Sequence, residues 1–393
     1  MQRAARRATI GTMNSVYAAL GPTIFETMSR LAAERGAINL GQGFPEDDGP
    51  RDILEAAARA TLEGPNQYPP MRGLMPLREA VAAHYRAYQN VELDPAREVT
   101  ITSGATEAIA AALLAFIESG DEVVLFEPFY DAYLPMVRRA GGVPRIVRLQ
   151  PPHWRLEREA VAAAFSAKTR VVVINTPLNP SASVISREEL TMLAELCRAH
   201  NAICVSDEVW EELTFDGVLH ASMLELMRER TLKIGSAGKM FSLTGWKVGF
   251  ACAAPELMDQ FAKAHQFLTF TTPPNLQRAV AYALGKERSY FDAMRAGFQR
   301  SRDRLVAALE GEGFVTLPTK GAYFVNIDLA ASGIGMSDEA FARHAVEHGV
   351  ATIPLSAFYA TPGAPPLVRL CFAKRDETLD RGAEALAKAK RAA

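Results

Sequence analysis

Cysteine is scarce in this chain of 393 residues. The four present, Cys197, Cys204, Cys252 and Cys371, lack the short spacing of a metal knuckle or a redox pair. They read as small core residues of a protein kept in a reducing compartment, which points to the cytoplasm. The seven histidines show no metal-like spacing. No apolar run approaches the roughly 18 residues a membrane helix needs. Neither charge dominates, with 43 Lys and Arg against 45 Asp and Glu, so nothing invites nucleic acid or an anionic membrane. Internal repeats and low-complexity segments are also missing. No acidic residue precedes Glu26, while Arg3, Arg6 and Arg7 give a basic start. That is faintly like an organelle transit peptide; a short basic arm, or a start at Met13, is the simpler reading.

What is abundant is apolar: 49% of the residues are hydrophobic. A chain this long exceeds the size at which single cores stop growing, so two domains are expected. Short apolar runs at 99–102, 122–126, 170–174, 202–206, 231–235 and 248–252 predict buried strands. Helical spacing fills 25–35, 74–88, 255–267, 275–284 and 290–310. Strands at 323–327 and 367–372 then alternate with helices near 338–348 and 376–390. This order gives an α/β protein with a mostly parallel central sheet and a smaller C-terminal α/β part.

The chain centres on Ser236-Ala-Gly-Lys239-Met-Phe-Ser-Leu-Thr-Gly-Trp-Lys247-Val-Gly249, between two strand-like runs. A lysine held between buried strands is costly as a charge, and one escape is to lose its proton and become a nucleophile. Ser236, Lys247 and the glycines Gly238, Gly245 and Gly249 suit a bound anion. An aldehyde cofactor with a phosphate handle, pyridoxal phosphate, fits both halves. A nucleotide P-loop does not, because the spacing from Gly235 is wrong and Met240 stands where Ser or Thr is required.

Other segments carry two readings each. Val99–Thr102 followed by Ser103-Gly104-Ala105-Thr106 and a helix presents free N–H groups to a phosphate, or is plain N-capping. Asp207 closes a buried strand where open α/β sheets bind ligands, or caps a helix. Arg369 shares a strand face with apolar neighbours and needs a planar anion, or a structural salt bridge. Gly43 in Gly41-Gln-Gly-Phe-Pro45 reads as a turn, Tyr68 as loop surface and Tyr130 as core filler.

The S-A-G-K-x-F-S-x-T-G-W-K-x-G stretch resembles the cofactor-lysine segment of fold-type I pyridoxal-phosphate aminotransferases. The likeness runs from about Ile38 to Asp376 and is nearest the kynurenine/glutamine/methionine aminotransferase branch. It implies a three-layer, mostly parallel seven-stranded sheet, with a large cofactor domain at 41–285. A small domain at 286–393 would be joined by an arm at 1–40. It implies that Lys239 binds the cofactor and serves as general base, with Asp207 on the pyridine nitrogen and Tyr130 stacked on the ring. Ser103, Gly104, Ala105, Thr106, Ser236 and Lys247 would hold the phosphate, with Tyr68 added from a neighbouring subunit. Asn175 and Asn179 would sit beside the ring, Asn179 on its phenolate. Arg369 would grip the substrate carboxylate, Gly43 would contact it through its backbone, and Phe25 and the neighbour's Phe270 would wall the side chain.

Two positions depart from the family pattern. Trp210 stands where D-E-x-Y places a phenolate-binding tyrosine, and indole offers one N–H and no acceptor. Ser181-Ala182-Ser183 replaces a glycine after Asn179-Pro180, so a turn without easy positive φ is expected. The implied activity is ping-pong transfer of an amino group from an aromatic or sulfur-containing amino acid to a 2-oxo acid, in a homodimer with shared sites. A cysteine-S-conjugate β-lyase is the alternative enzyme. A non-catalytic sensor finds no support, since neither a helix-turn-helix nor a basic face is evident.

Overall fold

The structure, a computed structural model, describes residues 14–393. The basic residues Arg3, Arg6 and Arg7, and the alternative start at Met13, lie outside the described residues.

Seven strands form the central sheet: β1 Val99–Thr102, β2 Glu122–Glu127, β3 Val143–Arg148, β4 Thr169–Asn175, β5 Ile203–Asp207, β6 Thr231–Ser236 and β7 Gly249–Ala253. Their order is β1-β7-β6-β5-β4-β2-β3. Only β7 runs against the others, pairing antiparallel with β1 and β6. Val171, Val172, Val173 and Ile174 are buried as an unbroken run, as expected of a strand covered on both faces. Because six strands share one direction, β1, β2, β4, β5 and β6 deliver Ser103, Glu127, Asn175, Asp207 and Ser236 to the same edge. That edge is where open α/β sheets bind ligands.

The helix Arg288–Gly311 leads to a second, antiparallel sheet. Its order is Ile353–Pro354, Leu367–Cys371, Phe324–Asp328, Val315–Thr316. The N-terminal side joins it. Thr23 caps the helix Ile24–Arg35, Gly36 ends it at φ 61°, and Ile38–Asn39 pairs in parallel with Val350–Ala351. Leu40 accepts a hydrogen bond from the Cys371 N–H at 2.7 Å, and the Glu46 N–H donates to the Ala373 carbonyl at 3.0 Å.

One expectation needs correction. Ala182 takes a left-handed φ of 61° even without glycine. Its N–H donates to the Leu178 carbonyl at 2.8 Å, and its own carbonyl accepts from Lys320 and Gly321 at 2.9 and 3.0 Å. Those bonds hold a conformation costing about 1–2 kcal/mol for an L-residue. Lys239 lies between two buried strands, in the single turn Ala237–Met240 that follows β6 and precedes β7. The lysine inside β6 is Lys233, 1% exposed.

Candidate active site

The anion-binding end is built where β1 turns into the helix Gly104–Phe116, with Gly104 at φ 75°. The first N–H groups of that helix have no intrahelical acceptor and point outward with the positive end of its dipole. Ser103 occupies the cap position without a capping side-chain bond; its N–H donates to Glu107 Oε2 at 3.1 Å. β7 packs directly behind the turn. A Cβ on Gly249 would stand 2.8 Å from the Gly104 carbonyl carbon and 3.0 Å from the Ala105 nitrogen. Lys247, itself left-handed at φ 55°, places Nζ 3.4 Å from where a Gly104 Cβ would be. Thr106 and Ser236 line the same cavity. The 103–106 turn and the 236–249 stretch, distant in sequence, thus form one end of the cavity with free N–H groups, hydroxyls and a cation.

The acidic end is Asp207, 5% exposed at the tip of β5. Burial pushes its carboxyl up to about 6, against the pull of its hydrogen bonds from Tyr133 and Val209. Tyr133 Oη donates to Oδ2 at 2.5 Å and the Val209 N–H to Oδ1 at 3.3 Å. No helix begins at Asp207, so it caps nothing. Asn175 Nδ2 donates to the Asp207 carbonyl at 2.8 Å, and its Oδ1 accepts the Asn179 N–H at 2.8 Å, which fixes the following loop. Tyr130 lines the cavity next to Thr106, and burial raises its phenol, keeping it neutral.

Between these ends stands Lys239. Burial pulls its ammonium down to about 8, partly opposed by Cys371 and Asp207. Its Nζ donates to Tyr323 Oη at 3.2 Å and lies 4.4 Å from the Trp210 ring centroid. Trp210 therefore meets the lysine with its ring face.

Arg369, 1% exposed, reaches in from Leu367–Cys371. Its Nη1 donates to Asn179 Oδ1 at 2.6 Å and its Nη2 to the Gly41 carbonyl at 3.0 Å. Phe324 lies flat against the guanidinium at 4.0 Å and Phe25 flanks it at 5.3 Å. Its Nε is buried with no partner among the described residues. No carboxylate bonds to it, so it is not a structural salt bridge. A planar anion in the cavity would complete it. Gly43 is adjacent: a Cβ there would meet Phe324 at 2.9 Å and Arg369 Nη2 at 3.7 Å.

One cavity of about 360 Å³ joins these groups, large enough for a cofactor with a small substrate. Phe25, Gly43, Gly104, Ala105, Asn175 and Asn179 all border it. Tyr68 and Phe270 do not: 85% and 41% exposed, they pack edge to face on each other at 5.5 Å outside it. Sequence reasoning passed over Tyr133, Tyr323 and Phe324. Tyr133 carried a signal, an aromatic three residues after Tyr130 beyond a buried strand; Tyr323 and Phe324 looked like strand filler.

Among the described residues one close group could offer metal ligands, Glu208, Glu211 and His220, but both carboxylates bond the Lys233 ammonium and His220 bonds Glu208.

The donor set matches pyridoxal phosphate: free N–H groups and a cation at one end, a buried carboxyl at the other, and an amine of lowered basicity between. Fold and cavity define an α/β enzyme of the pyridoxal-phosphate type. The chain belongs to the aminotransferase class I and II family, whose model matches residues 35–386. A solved Escherichia coli structure reported with a methionine aminotransferase function superposes with a TM-score of 0.92. It is 41% identical, over 96% of this chain and 99% of that one. The N-succinyldiaminopimelate aminotransferase of Mycobacterium tuberculosis gives 0.93 at 42% identity, over 96% and 100%. Human kynurenine–oxoglutarate transaminase 1 is 36% identical over 396 residues, 91% of this chain and 94% of that protein. The protein is a pyridoxal-phosphate-dependent aminotransferase of fold type I. Among the described residues no helix is long and apolar enough to cross a membrane.

Proposed function

We propose that the enzyme transfers the amino group of an aromatic or sulfur-containing L-amino acid, of the methionine, phenylalanine, kynurenine or glutamine type, to a 2-oxo acid. The carrying observation is the convergence of Lys239, Asp207 and Arg369 on one cavity with a phosphate cup at its end. The bound cofactor supplies an electron sink for the bond broken at the substrate α-carbon. Arg369 holds the α-carboxylate through its free edge, helped by the Gly43 backbone, and so orients that bond. Asn179 fixes Arg369 and faces the ring's phenolate side. Lys239 would hold the cofactor through Nζ, and the same Nζ would take and return the substrate's α-proton. With its basicity near 8, it takes and returns that proton close to neutral pH. Asp207 keeps a proton on the ring nitrogen, and Ser103, Gly104, Ala105, Thr106, Ser236 and Lys247 hold the phosphate. A second oxo acid then reverses the path.

Phe25, Phe44, Phe324, Tyr130 and Trp210 make the walls aromatic. Among the described residues, the lining holds no cation besides Lys239, Lys247 and Arg369 to meet a side-chain carboxylate. This supports methionine and phenylalanine over aspartate. The relatives are named for amino transfer, which does not favour the β-lyase alternative. The exposed Tyr68, Phe267 and Phe270 support a homodimer in which Tyr68 and Phe270 complete the neighbour's site. Residues 41–285 act as the cofactor domain, with 286–393 and the segment up to 40 as the smaller one. Four free, buried cysteines accord with a cytoplasmic location.

Borohydride reduction of the loaded enzyme is expected to add the pyridoxyl mass to the peptide bearing Lys239. An unmodified peptide overturns the assignment. In a substrate panel, kcat/KM for methionine and phenylalanine should exceed that for aspartate by roughly tenfold or more, the scale of one unpaired buried charge. A preference for aspartate overturns the substrate class.

A further inference from the structure

We infer that Tyr323 is a positioning residue for the Lys239 amine, and that it ties this amine to the segment covering the substrate. The inference rests on the assignment of Lys239 above. Tyr323 is fully buried on the N-terminal side of the strand Phe324–Asp328. Its single proton is committed: Oη donates to the Gly43 carbonyl at 2.8 Å. The oxygen can therefore only accept from Lys239, whose Nζ lies 3.2 Å away. Burial holds the phenol well above its ordinary range, so it remains a neutral hydroxyl.

The direction of these two bonds has a chemical meaning. An acceptor on one side of Nζ holds an N–H there and turns the nitrogen lone pair away from it. The lone pair is the reactive part of the amine. The Trp210 face closes another side, at 4.4 Å from Nζ, and Trp210 stacks edge-on against the Tyr323 ring at 4.2 Å between centroids. Indole provides no hydrogen-bond acceptor. Among the described residues, the only hydrogen-bond partner of Nζ is Tyr323. Other titratable groups act on the amine less directly: Cys371 and Asp207 favour its charge, Arg369 and Lys247 oppose it. The hydroxyl also bridges two parts of the molecule. Lys239 belongs to the large sheet, whereas Gly43 lies in the segment held to the smaller one. Through one oxygen, the position of the substrate cover reaches the amine that moves the proton.

The test compares Tyr323→Phe with wild type. One atom is lost and the ring packing against Trp210 and Phe324 remains, so the variant should fold, with a melting temperature within a few degrees of wild type. In cofactor-free protein, trace acetylation of Lys239 is followed against pH by mass spectrometry of its peptide. The wild-type midpoint should fall near 8. Loss of an acceptor for the charged amine should lower it by roughly half a unit or more. In the loaded enzyme, kcat should fall roughly tenfold or more, with a larger isotope effect from α-deuterated substrate. KM should rise as the Gly43 carbonyl loses its donor. An unmoved midpoint overturns the proposal, whether or not activity falls, because a purely structural role would leave it in place. The borohydride-tagged wild-type peptide is the control. If it carries no tag, the Lys239 assignment has failed; if it does and the midpoint is unmoved, only the role of Tyr323 has.

Discussion

Lys233 and Lys239 sit six residues apart and are treated in opposite ways. Lys233 is 1% exposed within β6, yet Glu208 Oε2 at 2.8 Å and Glu211 Oε2 at 2.5 Å surround its ammonium. Burial alone would neutralise it, but the two carboxylates win and its basicity is raised. Lys239 has no carboxylate at hydrogen-bond distance, so burial prevails and its basicity drops. The first is a structural charge and the second the amine proposed to react. Replacing Lys233 with Met should leave two buried carboxylates uncompensated and cost about 3–5 kcal/mol of stability. Urea unfolding measures this, and a loss under about 1 kcal/mol would contradict the picture. The sequence made the reactive lysine legible through its hydroxyl- and glycine-rich surroundings. It did not reveal Lys233, because its two partners lie more than twenty residues back along the chain, just after β5.

At the level of elements, the turn between β1 and the helix Gly104–Phe116 depends on β7 lacking a side chain where it passes. Gly249→Ala would set a methyl 2.8 Å from the Gly104 backbone, tighter than real contacts. Overpacking of this kind costs about 1–3 kcal/mol, here by moving the N–H groups that face the phosphate. Affinity for pyridoxal phosphate should weaken roughly tenfold or more, read by fluorescence titration, with the melting temperature of the cofactor-free protein lowered by about a few degrees. Strand, turn and helix were readable here from residue types alone, since the apolar run, the glycine and the Ala-rich helix follow one another in the chain. The Ala182 turn was not. Its left-handed φ is imposed by Lys320 and Gly321, more than a hundred residues away. Tyr323 escaped notice for a similar reason: a tyrosine at a strand edge says nothing of what stands across the cavity.

For the whole molecule, Tyr68, Phe267, Leu268 and Phe270 are exposed apolar side chains, Tyr68 packs on Phe270, and none of them lines the cavity. A solvent-facing cluster of this kind fits a subunit contact. Sedimentation should give a species of twice 42.8 kDa, and specific activity should fall on dilution as subunits separate. Tyr68→Ala should raise the cofactor dissociation constant while leaving Lys239 able to take the borohydride tag. A monomer of full activity at all concentrations would remove the shared site.

Residues 38–46 are sewn to the C-terminal part of the chain by the Ile38–Val350 pairing, the Leu40 and Glu46 backbone bonds, and the grip of Arg369 on the Gly41 carbonyl. The proposed clamp on the substrate's carboxylate and the segment proposed to cover it are thus a single jaw. If that jaw rocks against the large sheet, both surfaces arrive together, and specificity and closure cannot be tuned separately by mutation within this seam.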